Sequence, residues 1–470
     1  MRMLMTRRVT LAAAAAVTAL VAALPAGAQQ PARETPPPLG TPKAFTLPPK
    51  REVTLANGMR VTFVPFGTIP KVSVYTMVGT GHIDEGGNEV ALSDVTGEMM
   101  REGTATRSAT QVAEEVAGMG GELGVFVGDD RTQVGGAVLS ERGPDMVRLE
   151  ADLLRNPRFP ESELARIVAN KAREVAIAKS QPQSLAQEQF LKTLYGDHPY
   201  GRLFPTDTML KSYTIAQVRQ FHARNFGAAR AHLYVVGVFD QRAMERAVRE
   251  AFEGWAPGSP PTVKPPAPRA AHAVTLLDRS KAVQSTIMLG LPVPPPTARD
   301  YTALQVTDAL LGGTFGSRVT TNIREQKGYT YSPYSYIGTH RRDAYWVQQA
   351  DVTTQHTGAS LKEIFAEIDR LQKEAPGTPE LSGIKNNMIG LFTLRNASRG
   401  GIINQLAEAD LQGLGDDYLS GYVRRVMAVS PAEVQRIAAT YLTPERMTLV
   451  VVGDKATVAE QLAPFQRPIP

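Results

Sequence analysis

The sequence contains no cysteine. That removes disulfides, thiolate nucleophiles and thiolate zinc sites together. Histidine is scarce too: seven in 470 residues, at His82, His198, His222, His232, His272, His340 and His356. No two stand four apart, so no helix offers a pair of imidazoles to one metal. His82 is a lone loop histidine, expected to face solvent. His198 lies in a His-Pro-Tyr-Gly loop and is expected to make a structural contact. There is no dense basic stripe, and the formal net charge is only +5, which speaks against a nucleic-acid partner. Beyond Leu24 no apolar run is long enough to span a bilayer.

What is present starts with a leader. Arg2, Arg7 and Arg8 precede an apolar run from Val9 to Leu24, and small residues follow at Ala26-Gly27-Ala28. This predicts a signal peptide over 1–28, hence export to the periplasm; "TRRVTLA" loosely suits the twin-arginine route as well. Without its three arginines the mature chain carries +2, with no membrane span. Two proline-rich stretches punctuate the remainder. Residues 29–50 are expected to form a mobile, extended leader, and 256–270 a semi-rigid linker.

The linker separates two halves, 51–255 and 271–467, that resemble each other. "TIAQVRQFHARNFGAARAHLYVVG" from Thr214 aligns without gaps with "SPAEVQRIAATYLTPERMTLVVVG" from Ser430. Each reads as a capped helix, a bend and a buried strand ending on Gly237 or Gly453, which argues for duplication. Each half also opens with strands. The first has Asn57-Gly58 between alternating apolar residues, a hairpin signal. Helical patterns follow, as in "SATQVAEEVAGMGG" and "TALQVTDALLGG". The fold class predicted is α+β: two homologous domains, each a mainly antiparallel sheet with helices packed on one face.

Five stretches in order carry a more specific resemblance: "VGTGHIDEGGNEVALS", "EGTATRSATQVAEEVAGMGGEL", "GDHPYGRLFPT", "LLGGTFGSRVTTNIREQKGYTYSPYS" and the closing helix-strand unit up to "TLVVVGD". The chain resembles the insulinase/pitrilysin (inverzincin) metallopeptidase family, which includes the subunits of mitochondrial processing peptidase. Active members carry H-x-x-E-H on a helix plus a distant glutamate. Two histidines at i and i+4 face one metal, and the glutamate takes a proton from metal-bound water.

Anchoring on Gly103-Thr104 places Asp94 and Glu98 at the two histidine positions and Gly97 at the base position. Counting back from Pro182 puts the third ligand near Glu174. The H-x-x-E-H motif is therefore absent and the zinc site degenerate. Asp94, Glu98 and Glu174 form either a carboxylate cluster suited to Mg²⁺, Mn²⁺ or Ca²⁺, or a solvated helix face. No metal is assigned to this chain.

The resemblance further implies that Arg324 and Tyr331, seven apart in "REQKGYTY", hold substrate backbone at a zinc centre; Tyr329 competes if the turn shifts. Otherwise they are a surface ion pair and a core-edge tyrosine. It also implies a hetero-oligomer with a homologous partner that carries H-x-x-E-H and the zinc, acting on peptide or unfolded polypeptide. Activity is then expected only with that partner. In active members a peptide adds to an exposed sheet edge, here the strand within Glu122–Asp130. Gly124 replaces the usual asparagine, which puts edge presentation in doubt. Two alternatives stand beside the non-catalytic subunit: an inactive structural or peptide-binding scaffold, and an autonomous enzyme using the carboxylates.

Overall fold

The computed structural model describes residues 40, 42–261 and 264–466. The expected signal peptide and the leader up to residue 39 lie outside them. From Lys43 onward the chain folds into two mixed sheets with helices. The first sheet contains β1 (Arg51–Thr54), β2 (Arg60–Pro65), β3 (Lys71–Val78), β4 (Gly124–Val127), β5 (Thr132–Leu139) and β6 (Ala231–Gly237), in the order β1-β2-β6-β3-β5-β4. The second contains β7 (Ala273–Asp278), β8 (Gln284–Val293), β9 (Tyr334–His340), β10 (Asp343–Thr353) and β11 (Thr448–Gly453), in the order β7-β11-β8-β10-β9.

The duplicated unit is a topological equivalent in both sheets. Thr214 caps the Ile215–Asn225 helix and Ser430 caps Pro431–Tyr441, each with a reciprocal bond from Gln217 or Glu433. The strand that follows, β6 or β11, runs parallel to one neighbour and antiparallel to the other. Around Asn57-Gly58 the hairpin forms as the sequence indicates. Gly58 takes φ +88°, a value that side-chain-bearing residues resist.

Burial shows how the halves combine. Along β11, Leu449 and Val451 enter a core with the second half's own helices, while Val450 and Val452 point the other way. That opposite face is covered by Phe190, Leu191 and Leu194 from the Pro182–Tyr195 helix of the first half. The first sheet repeats the arrangement. Leu233 and Val235 of β6 face the first half's helices, and Tyr234 and Val236 meet Ile402, Ile403 and Leu406 of the Arg399–Gln412 helix from the second half. Successive strand residues point to opposite faces, so each sheet has one core of its own and one completed by its counterpart. The helices of one half thus cover one face, as expected, and an exchanged helix covers the other.

The leader also differs from expectation near its end. Phe45 packs edge-on against Phe392 at 5.0 Å, and Lys50 bridges Glu52 and Asp416 at 2.6 and 2.7 Å. An aromatic ring with a buried partner anchors this stretch even though proline density suggested mobility.

Candidate functional site

The Leu92–Met100 helix buries Leu92, Val95, Met99 and Met100 in the first core and turns Asp94 toward a half-buried pocket. Its first turn is held by Glu85, whose carboxylate accepts from the backbone N–H of Ala91 (3.1 Å) and Ser93 (2.9 Å) and from the Ser93 hydroxyl (2.5 Å). A carboxylate there satisfies orphan donors and complements the helix dipole. Burial nonetheless pushes the Glu85 carboxyl up to about 7, with His82 and Ser93 pulling the other way.

Asp94 is engaged on both oxygens. Oδ2 lies 2.9 Å from His82 Nε2 and Oδ1 accepts from Lys171 Nζ at 2.9 Å. His82 Nδ1 meets Asp129 Oδ1 at 2.9 Å, and Asp129 Oδ2 lies 3.2 Å from Nδ1 of buried His340, at the end of β9. Burial alone would raise both aspartates. His82 and Lys171 outweigh it at Asp94, and the His340 and His82 imidazoles outweigh it more strongly at Asp129, so both lie below the usual carboxylate range. For His82, burial pulls the pKa down, but Asp129 and Asp94 lift it well above the ordinary imidazole value. Lys171 is raised by Asp94 against its own burial.

The expected solvent-facing His82 is thus a bridging residue, and the carboxylate cluster does not assemble. Glu98 is exposed and leans on Arg101 at 3.4 Å. Glu174 is exposed too, with Lys171 Nζ 3.6 Å away. All three carboxylates line one pocket, but an arginine one turn on takes Glu98, and the lysine one turn before Glu174 stands at both Glu174 and Asp94. Among the described residues, the group whose possible ligand atoms lie within 4.8 Å of one another is His82, Glu85 and Asp94, and all three already have partners. Gly97 touches β4: a Cβ there would lie 2.7 Å from Val127 Cγ2, so the base position has neither a side chain nor room for one. Zinc prefers nitrogen and sulfur donors. The single imidazole here is bonded through both nitrogens, so the residues present do not fit that metal.

Two pockets of about 260 and 300 Å³ flank Asp94, the second reaching His340 and Tyr345 of the other half. Tyr200, in the His-Pro-Tyr-Gly loop, stacks on His340 at 3.8 Å and donates to Asp130 at 2.6 Å. His198 makes the expected structural contact, accepting from the Tyr200 N–H at 3.3 Å. β4 is one of the two edge strands of the first sheet, with Phe126 exposed.

The second cluster lies on the C-terminal half. The helix begun at Tyr301 widens into a π-helical turn at Ala309–Gly313, and a second π-helical stretch, Thr320–Gln326, carries Arg324. Such turns are frequent at functional sites. The Arg324 guanidinium sits 4.4 Å from the Phe315 ring centre and 4.8 Å from that of Tyr331. Both rings are largely exposed, at 71% and 78%. Arg324 does make the surface ion pair of the alternative reading, Nε to Glu325 at 3.1 Å, while Tyr331 is not a core-edge residue, and Tyr329, stacked on His356 at 4.4 Å, is not the one beside Arg324. Phe315 was not marked by the sequence, although its Gly-Thr-Phe-Gly loop precedes the arginine. Lys171, Asp129 and His340 were missed because their partners are far away in the chain.

Comparison with known proteins agrees with this architecture. Residues 67–205 match the profile described as Insulinase (Peptidase family M16), and 212–388 the Peptidase M16 inactive domain. A protein of Mycobacterium tuberculosis named an uncharacterized zinc protease is 28% identical over 442 residues, covering 89% of this chain and 97% of its own length. One of Streptomyces coelicolor, similarly named, is 25% identical, covering 86% and 89%. Among solved structures, a peptidase M16 inactive domain from Pseudomonas fluorescens superposes with TM-score 0.78 at 24% identity, over 86% of this chain and 98% of its own. A protease from Helicobacter pylori gives 0.80 at 19%, over 87% and 100%. The chain belongs to the insulinase family, peptidase family M16.

Proposed function

We propose that this chain is an exported, non-catalytic subunit of an insulinase-type zinc peptidase. It presents Arg324 and Tyr331 to a peptide held at the zinc of a homologous partner carrying H-x-x-E-H. One contrast supports this. The metal helix has lost both histidines and its base, while Arg324 is still held between two exposed rings on the other half. A guanidinium so placed offers paired donors to a carbonyl or a developing oxyanion, and a phenol adds one more. The zinc-protease names of the relatives and the edge position of β4 are consistent with a peptide substrate, which would add as a strand.

The test is reconstitution. The mature chain and the H-x-x-E-H homologue from the same host are assayed separately and mixed, on an unfolded polypeptide. Activity is expected only in the mixture, with Arg324→Ala lowering kcat about 10²–10³-fold and Tyr331→Phe less. Full activity after both changes removes the shared-site idea and favours a scaffold. Hydrolysis by this chain alone, abolished by chelator and by Asp94→Ala, favours an autonomous enzyme. N-terminal sequencing of the periplasmic protein checks cleavage after Ala28.

A further inference from the structure

The helix that should bring a third metal ligand brings an ammonium. Lys171 lies one turn before Glu174 on the Glu161–Ser180 helix, and its Nζ sits on Asp94 at 2.9 Å, 3.6 Å from Glu174. Beside it, His82 joins Asp94 and Asp129 at 2.9 Å through each ring nitrogen. An ionised carboxylate only accepts, so an imidazole bonded to two of them carries both ring protons. Two cations thus meet two anions: Lys171 and His82 against Asp94 and Asp129. Of the remaining groups, Glu85 is taken up by the Ala91 and Ser93 donors, and Glu174, though exposed, faces the same Lys171 ammonium that holds Asp94. His340 closes the line from the other half.

We propose that Lys171 and His82 together replace a divalent cation, so that the former metal position is filled by the chain itself and closed to metals. The ionic line Lys171–Asp94–His82–Asp129 then ends against His340 of the other half, 3.2 Å from Asp129. A metal entering this site would face two positive charges already in place, with every oxygen of Asp94 engaged. In any assembly with a zinc-bearing homologue, the pair holds one metal and not two. The replacement does not depend on such a partner.

Metal analysis after equilibrium dialysis, with thermal melts, tests it on the full mature chain. Wild type is expected to bind no equivalent of Zn²⁺ or Mn²⁺ at millimolar supply, and EDTA to leave its Tm unchanged. Lys171→Met uncovers Asp94 and Glu174; it should gain one Mn²⁺ equivalent, at least roughly tenfold tighter than wild type, with a Tm that rises with Mn²⁺. Adding Asp94→Asn should abolish the gain. Lys171→Gln keeps a donor for Asp94, guarding against a misfolded first variant, and should show the same gain. Lys171→Arg should behave as wild type. One equivalent bound by wild type overturns the proposal, as does metal indifference in both charge-removing variants. Neither result touches the reconstitution assay, so this proposal and the partner reading fail separately.

Discussion

Phe190 tests how tightly the two halves depend on each other. It belongs to the first half, yet it is wholly buried against the second sheet, 5.9 Å from the Tyr345 ring centre. Its Cζ lies 2.8 Å from where a Cβ on Gly290 of β8 would be. Phe190→Ala removes the ring from a seam with no spare chain to refill it, a loss of about 3–5 kcal/mol. From Lys43 to Gln466 the structure describes all residues but 262 and 263. At about 2.1 cal/mol/K per residue, some 420 residues give an unfolding entropy near 0.9 kcal/mol/K, so Tm should fall by about 3–6 °C. Differential scanning calorimetry of the mature chain reads this directly. The shared cores predict one transition that shifts as a whole. Two transitions, with the first half's unchanged, would refute the exchange of helices as a cooperative link. Gly290→Ala added to Phe190→Ala should recover nothing, because the Trp346 carbonyl oxygen stays 2.2 Å from the new Cβ.

Other predictions follow from single groups. His82 is raised above its unfolded value, so its contribution is full below about pH 6.5 and fades as pH rises through the folded pKa; the lowered Asp94 and Asp129 contribute above about pH 4 and fade as pH falls below it. His82→Gln should therefore flatten the alkaline side of a Tm–pH profile. Burial lifts Asp308 to about 6, against bonds from Ser335 and Trp346. Its ionisation then costs about 3 kcal/mol above that pH, and Asp308→Asn should gain stability at pH 8 relative to pH 5 in paired denaturant titrations. Gly97→Glu should not create hydrolysis in the isolated chain. Contact with Val127 should instead destabilise it by about 1–3 kcal/mol, seen as a lower denaturation midpoint.

Local features were legible because their causes are local. Ser108, Thr214 and Ser430 cap their helices with side chains three residues away, and Asn57-Gly58 turns on its own backbone. Register counted from Gly103-Thr104 also put Asp94, Gly97 and Glu98 on one helix, Leu92–Met100. Convergence of Asp94 with Glu98 and Glu174 failed because helical spacing gives a common face and not a common partner. Arg101 and Lys171 decide where those carboxylates go, and Lys171 lies 77 residues from Asp94. The exchange of helices was illegible for the same reason. An apolar stripe on residues 182–195 says that the helix is buried, and nothing about which sheet buries it. Gly328, at φ +64° just after the π-helical stretch, is the kind of helix stop a Lys-Gly pair marks in a sequence, but the stacking of Phe315 and Tyr331 on Arg324 beyond it is not.

The exchanged helices give the chain a dimer's logic within one polypeptide. Cut within 256–270, it would yield two fragments, each with an uncovered apolar sheet face: Tyr234 and Val236 on one, Met288 and Val450 on the other. Each fragment would carry the helix its counterpart lacks. Such pieces should be insoluble when made singly and complement when made together, as an obligate pair whose covalent link the proline-rich segment merely happens to supply.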